Sequence, residues 1–168
     1  MRTILTLAVM LAAGPVLAAP IPIFDHPDAL LEAVYDQVEA SQDWETFDFD
    51  AAFNEEEAFS ARLSALLDAA NERLYAEGDE MGALDFSPFI NGQDSGGMAF
   101  TPHPAKIKGD VAVSSVDVTL TGEPLYTIGF NLVHDGEAGW KVDDIVLPWG
   151  EPGETVRLSE ILSDSSMY

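Results

Sequence analysis

The sequence predicts an α+β domain in which N-terminal helices pack on a curved antiparallel β-sheet. Three observations predict it. Apolar residues recur at helical spacing through 27–77, they recur at alternate positions through 108–145, and a Gly- and Pro-punctuated stretch keeps the two regimes apart. Helices and strands segregated in this way give a sheet of adjacent hairpins covered on one side, not the interleaved units of a parallel sheet.

The chain opens on an expected export signal, residues 1–18. Arg2 supplies the positive start, Ile4 to Ala13 is an uncharged apolar run, Gly14-Pro15 breaks it, and Val16-Leu17-Ala18 offers small residues for cleavage. A spanning helix needs about twenty apolar residues, twice what is present. Residues 19–168 are therefore expected as one domain, periplasmic or secreted. The sequence holds no cysteine, so that domain relies on its core alone, and thiolate sites and lipid attachment through Cys are excluded.

Helix 1 is expected over 27–40. Asp25 is a capping residue, Pro27 sits where a missing N–H costs nothing, and Leu30, Leu31, Val34, Tyr35 and Val38 form the apolar stripe. The segment from Asp43 to Phe53 alternates acids with Trp44, Phe47, Phe49 and Phe53, and reads either as a short helix or as an ordered loop. Helix 2 is expected over 55–77. Asn54 and Glu57 match a capping box, Glu55 to Glu57 favour the first-turn dipole, Phe59 to Leu74 supplies the stripe, and Gly78 ends it. Residues 79–105 read as irregular, with turns at Pro88 and Asn91-Gly92.

Beyond 105 the period becomes two. A first strand spans Lys108 to Thr121, with an expected bulge at Ser114-Ser115 where the apolar parity changes. Tyr126 to Leu132 and Trp140 to Ile145 follow as strands two and three, joined by short turns as in a meander. Val156, Leu158, Ile161 and Leu162 suggest a last helix over 156–163.

Two stretches carry a resemblance: Ala83-Leu84-Asp85-Phe86-Ser87-Pro88-Phe89 continuing through Asp94, and Gly139-Trp140-Lys141-Val142-Asp143-Asp144-Ile145 followed by Leu158 to Leu162. Together they resemble a family of small exported proteins of Gram-negative periplasms. That family is in turn similar to the nuclear-transport-factor-2-like (cystatin-like) superfamily. The resemblance implies helices packed in a cone-shaped sheet and implies no particular activity. It also implies an acid where Ser87 stands here, a departure that weakens any site built on an acid pair in that loop.

Thirty Asp and Glu oppose seven Lys and Arg, a net charge of −23. Such a surface repels nucleic acid and anionic membrane, so neither is an expected partner, whereas a cationic partner is compatible. A solvated acidic surface suited to a salty habitat accounts for the charge more simply than a partner does. No catalytic fingerprint, phosphate loop or zinc motif occurs. No cofactor, metal or catalytic residue is assigned.

The candidate ligand-binding residues are Asp85, Asp94, Trp140 and Asp144. Asp85 and Asp94, with Asn91 and Gln93, are hard oxygen donors that suit either Ca²⁺ or their own turn backbone. Trp140, with Phe130 and Tyr126, suits a pocket wall or the core. Asp143 and Asp144 alternate along one strand, and one of them facing an apolar hollow would have the raised pKa of a general base. His26, His103 and His134 are too dispersed to suggest a metal site. The expected function is a periplasmic non-catalytic binding or interaction domain, for a protein partner or a small molecule, with immunity-type inhibition as one form. The alternative is a small-pocket isomerase, lyase or hydrolase using a pocket carboxylate such as Asp144 or Asp85. The enzyme reading needs a closed concavity that holds an acid and a second polar group, and a concave face packed solid with Val, Leu and Phe would end it.

Overall fold

A computed structural model of the chain describes residues 20–78 and 82–164. The expected export signal lies outside the described residues. The rest is the α+β fold that the periodicity predicts: three helices and a six-stranded, open antiparallel sheet. Among the described residues no helix is long and apolar enough to cross a membrane.

Helix α1 spans Pro27–Ser41 and buries the stripe from Leu30 to Val38. Its N-cap is His26 rather than Asp25: the ring Nδ1 accepts from the Asp28 N–H at 3.4 Å, and Pro27 begins the first turn. The second helix is divided. Asn54 caps only a 3₁₀ turn, Glu55–Ala58, after which Phe59 and Ser60 are extended. Helix α2 then runs Ala61–Glu77 and ends at Gly78 with φ +92°. Its cap is Ser60, whose hydroxyl accepts from the Leu63 N–H at 3.2 Å. The break lets the Ser60 N–H reach the Val142 carbonyl at 2.8 Å, so chain direction changes where the helix meets the sheet. Continuous helical spacing from Phe59 to Leu74 conceals this change, because Phe59 is buried on either path.

Strands β3 (Val111–Leu120), β4 (Glu123–His134) and β5 (Trp140–Pro148) form the expected meander. Three shorter strands complete the sheet. Strands β1 (Met98–Pro102) and β2 (Lys106–Lys108) pair with successive parts of β3, and β6 (Thr155–Arg157) pairs with β5. Part of the stretch read as irregular is thus strand. Helix α3, Leu158–Ser163, follows β6 directly.

No bulge occurs at Ser114-Ser115; the register between β3 and β4 shifts at Val118/Thr119. Ala112, Val116 and Val118 keep one inward parity, while Val111 and Val113 face outward, about half exposed. Apolar side chains on the outer face mimic a change of parity. A second irregularity lies in β5. Asn131 pairs with Asp144 and Leu132 with Val142, so Asp143 is the extra residue. The bulge shifts the buried parity from Val142 to Ile145, and the two acids are not simply alternating strand positions.

The edges of the sheet are covered by different means. Side chains of α1 take the β1 edge: Gln42 donates to the Met98 carbonyl at 2.9 Å, and Glu39 accepts from the Phe100 N–H at 3.0 Å. Asp28, at the other end of the helix, accepts from the Ala105 N–H at 2.7 Å. At the start of β5 the Trp140 N–H donates to the Phe24 carbonyl at 2.9 Å. That approach requires Gly139, with φ +74°, since a Cβ there would stand 2.6 Å from the Phe24 oxygen.

Candidate functional site

The four residues singled out from sequence do not converge on one site. Trp140 is buried, edge-on to His134 with ring centres 5.6 Å apart, and lines none of the clefts described below. Asp144 is 5% exposed and fully engaged. Its Oδ1 accepts from the Ser159 N–H at 3.1 Å and from the Ile145 N–H at 3.0 Å. Its Oδ2 accepts from the Ser159 hydroxyl at 2.8 Å and pairs with Arg157 at 3.3 Å. These bonds tie β5 to the start of α3. Asp143 works similarly on the other helix. It accepts from the Ser60 hydroxyl at 2.7 Å and from Arg62 Nε at 3.0 and 3.1 Å, and Arg62 also donates to its carbonyl.

Asp85 and Asp94 are exposed turn residues. The Asp85 carbonyl accepts from the Gln93 amide at 2.9 Å, and Asp94 Oδ1 accepts from the Gly96 N–H at 2.7 Å, the local turn bonding these residue types favour. His26 caps α1, His103 bonds Asp117 at 2.7 Å, and His134 lies against Trp140. Among the described residues no group of His, Asp and Glu is arranged to hold a metal ion.

The space between helices and sheet is filled. Phe89 is fully buried and stacks between Phe59 and Phe130, with centroid separations of 5.8 and 6.0 Å. The loop carrying it is held at successive carbonyls: the Tyr35 hydroxyl donates to Phe89 O at 2.8 Å, and the Tyr126 hydroxyl donates to Ile90 O at 2.6 Å. The Asn91 amide donates to Pro148 O at 3.2 Å. The Leu-Asp-Phe-Ser-Pro-Phe stretch is therefore a plug whose last Phe closes the core. Burial also pushes the Tyr35 phenol up, chiefly through desolvation and further through the charge of nearby Glu55.

Hollows of about 530 and 570 Å³ lie at His103 and Val113 and along α1 at Asp36 and Asp43, and beside the plug lies a smaller cleft of about 360 Å³. Its walls come from α1 (Gln37, Val38, Ser41), the aromatic segment (Phe47, Phe53) and the plug loop (Leu84, Phe86, Ser87), and Glu55 joins them from the 3₁₀ turn. An adjoining hollow of about 400 Å³ shares Val38, Ser41, Glu55 and Ser87 and carries Trp44 and Asp94 on its rim. The aromatic segment is positioned by Gln37, whose amide donates to Phe53 O and accepts from Phe53 N–H, both at 3.0 Å.

Glu55 is the distinctive group. It is half-buried and accepts one hydrogen bond, from the Ser87 hydroxyl at 2.6 Å. Burial raises its pKa; the Ser87 bond works against the rise and the charge of Glu56 adds to it. No Lys, Arg or His among the described residues forms an ion pair with it. A carboxylate so placed can accept from one further donor or balance a cation. Sequence reasoning passed over it because Glu55 reads as one of three first-turn acids of a longer helix. The available signal was Ser60, a second cap residue directly before the apolar stripe, which would have detached Glu55 from α2.

No known protein family, no curated protein and no solved structure matches this chain.

Proposed function

We propose that this chain is an exported, non-catalytic binding domain that engages a protein partner or small ligand at the Glu55 cleft. The observation that carries this reading is the filled interior. The volume that an internal active site would occupy is taken by the Phe59, Phe89 and Phe130 rings, and the polar opening lies beside them on the surface. Asp144, one of the two acids named for the enzyme alternative, is committed to Ser159 and Arg157. The rim adds interaction character. Trp44 is 72% exposed and stands between Asp43 and Glu45, a combination of aromatic and acidic groups suited to a basic surface. The net charge of −23 steers such a partner and makes its capture salt-sensitive. Immunity-type inhibition of an enzyme in the same compartment is one form of this role.

The test uses the purified chain as bait for an extract of the producing cell's envelope, at low and high salt. Wild type is compared with Ala52→Trp, which fills the cleft from its rim, and with Glu123→Gln, at the distant β4 hairpin. Circular dichroism checks that both variants fold. Capture kept by Glu123→Gln and lost in Ala52→Trp supports the reading. Capture of nothing, or of the same partner equally by all three, sinks it.

A further inference from the structure

The cleft contains a carboxylate that no described cation pairs with. Glu55 sits among Phe47, Phe53 and Phe86, with only the neutral Ser87 hydroxyl bonded to it. Of the other partly or fully buried acids, Asp143 has Arg62, Asp144 has Arg157, and Asp28 and Asp117 lie against His26 and His103, whereas Asp135, like Glu55, forms no ion pair among the described residues. None of the described Lys or Arg side chains reaches Glu55 in an ion pair. Arg73 donates to the Leu162 carbonyl, Lys141 donates to the Glu57 carbonyl at 2.8 Å, and Lys106 and Lys108 lie on β2. Among the described residues no Lys, Arg or His supplies a counter-charge to Glu55.

We infer that the cleft binds an alkylammonium group, with Glu55 as its counter-ion and the Phe47, Phe53 and Phe86 rings as its walls. The inference rests on the binding role proposed above and names the chemistry recognised. An ammonium carries three N–H donors and no acceptor, which suits a carboxylate beside a hydroxyl. The Ser41 hydroxyl lines the same cleft and donates to the Val38 carbonyl at 2.8 Å, leaving its own lone pairs for a donor. Aromatic faces attract the cation and its alkyl stem alike. A divalent metal is a poorer match, because it needs six or more oxygen ligands, and Glu55 and Glu56, the two acids lining the cleft, belong to no group of described His, Asp and Glu arranged to hold one. The cleft volume of about 360 Å³ is at the small end for ligand sites and suits a single extended chain of a few carbons. The surrounding acidic field raises the local concentration of any cation.

The shared chemistry has two sources, a free amine and a lysine side chain, and the probes separate them. The full chain is titrated with n-butylammonium, with acetyl-lysine methylamide and with the neutral butan-1-ol, following the amide signals of Phe53, Phe86 and Ser87 by NMR. Saturable binding of a cationic probe, with the alcohol at least about tenfold weaker, is expected. Glu55→Gln should lose about tenfold in affinity for the cation, while Glu123→Gln, at the distant β4 hairpin, should change it less than about twofold. Tighter binding of the lysine derivative assigns the site to a protein side chain, and tighter binding of the simple amine to a free ligand. Equal binding of the alcohol, unchanged affinity in Glu55→Gln, or no shift of the cleft signals overturns the inference. The two readings fail separately. If Glu55→Gln still captures a partner that Ala52→Trp loses, the binding role stands and the cation falls. If Ala52→Trp captures that partner as well as wild type does, the binding role falls first, whatever the amine probes show.

Discussion

Two carboxylate settings in this molecule look alike in sequence and differ in the fold. Asp143 and Asp144 sit on the bulge of β5, and each oxygen meets a donor from a helix start: Ser60 and Arg62 for one, Ser159 and Arg157 for the other. Glu55 sits at the edge of a cleft with one hydroxyl bonded to it. The first pair joins elements together, and its charges are spent on doing so. The carboxylate of the second setting sits in a partly dehydrated place, bonded to the Ser87 hydroxyl and paired with no cation among the described residues. A carboxylate is thus better judged by what has been supplied to it than by how deeply it lies, because the more buried Asp144 is also the more completely bonded.

Three substitutions test this contrast. The largest effect is expected for Asp144→Ala, which leaves the Ser159 N–H and hydroxyl and the Arg157 guanidinium without their acceptor. A loss of about 3 kcal/mol in chemical denaturation is expected. A change below about 0.5 kcal/mol would remove the clamp from the account.

Asp143→Ala should cost less, about 1 kcal/mol, because Arg62 is half exposed and solvent screens the pair. The effect should depend on pH. Burial acts to raise the Asp143 pKa, but the bonds from Arg62 and Ser60 outweigh it and hold the group below the ordinary aspartate range. A depressed carboxylate stabilises the fold above the unfolded-state pKa and loses that contribution as pH falls through the folded value. Wild type and Asp143→Ala should therefore differ at pH 7 and converge below about pH 3. A difference that persists undiminished in acid would contradict the assignment.

The smallest effect has the opposite sign. With its pKa raised mainly by burial, Glu55 favours folding when protonated, and that contribution disappears as pH rises through the folded value. Glu55→Gln removes the ionised form and should raise stability at pH 7 by less than about 1 kcal/mol, the open side of the cleft keeping the gain small. Melting curves at pH 7 and pH 4 measure it, and the gain should be gone at the lower pH. Destabilisation at pH 7 would mean that Glu55 is an anchor of the same kind as the aspartates.

The parts of this structure that the sequence made legible are those governed by repeated apolar spacing. The α1 stripe, the Leu63–Leu74 stripe and the meander of β3 to β5 each bury the residues their period indicates. Strand β1 was hidden because it lies among Gly and Pro and commits only Phe100 to the core, too little alternation to register as a period. The bulge was placed wrongly because Val111 and Val113 are apolar yet outward-facing, and the real break in β5 coincides with two acids whose partners lie 81 and 15 residues away. The cleft was the least legible feature. Glu55, Ser87 and Phe47 come together only once the helix is broken at Phe59-Ser60 and the plug loop is seated, and neither event leaves a short-range pattern.

The row of α1 side chains along β1 has a consequence for the behaviour of the folded chain at high concentration. A sheet margin is ordinarily a template on which foreign backbone adds by lateral growth. Here Glu39 and Gln42 occupy the N–H and C=O groups that such an addition would need, and Asp28 takes the next one past the strand. The remaining margins, β2 and β6, are three residues each, and β2 carries Lys106 and Lys108. Fibril nucleation from the native state then requires α1 to peel away first, so protection against it is worth as much as the docking of that helix.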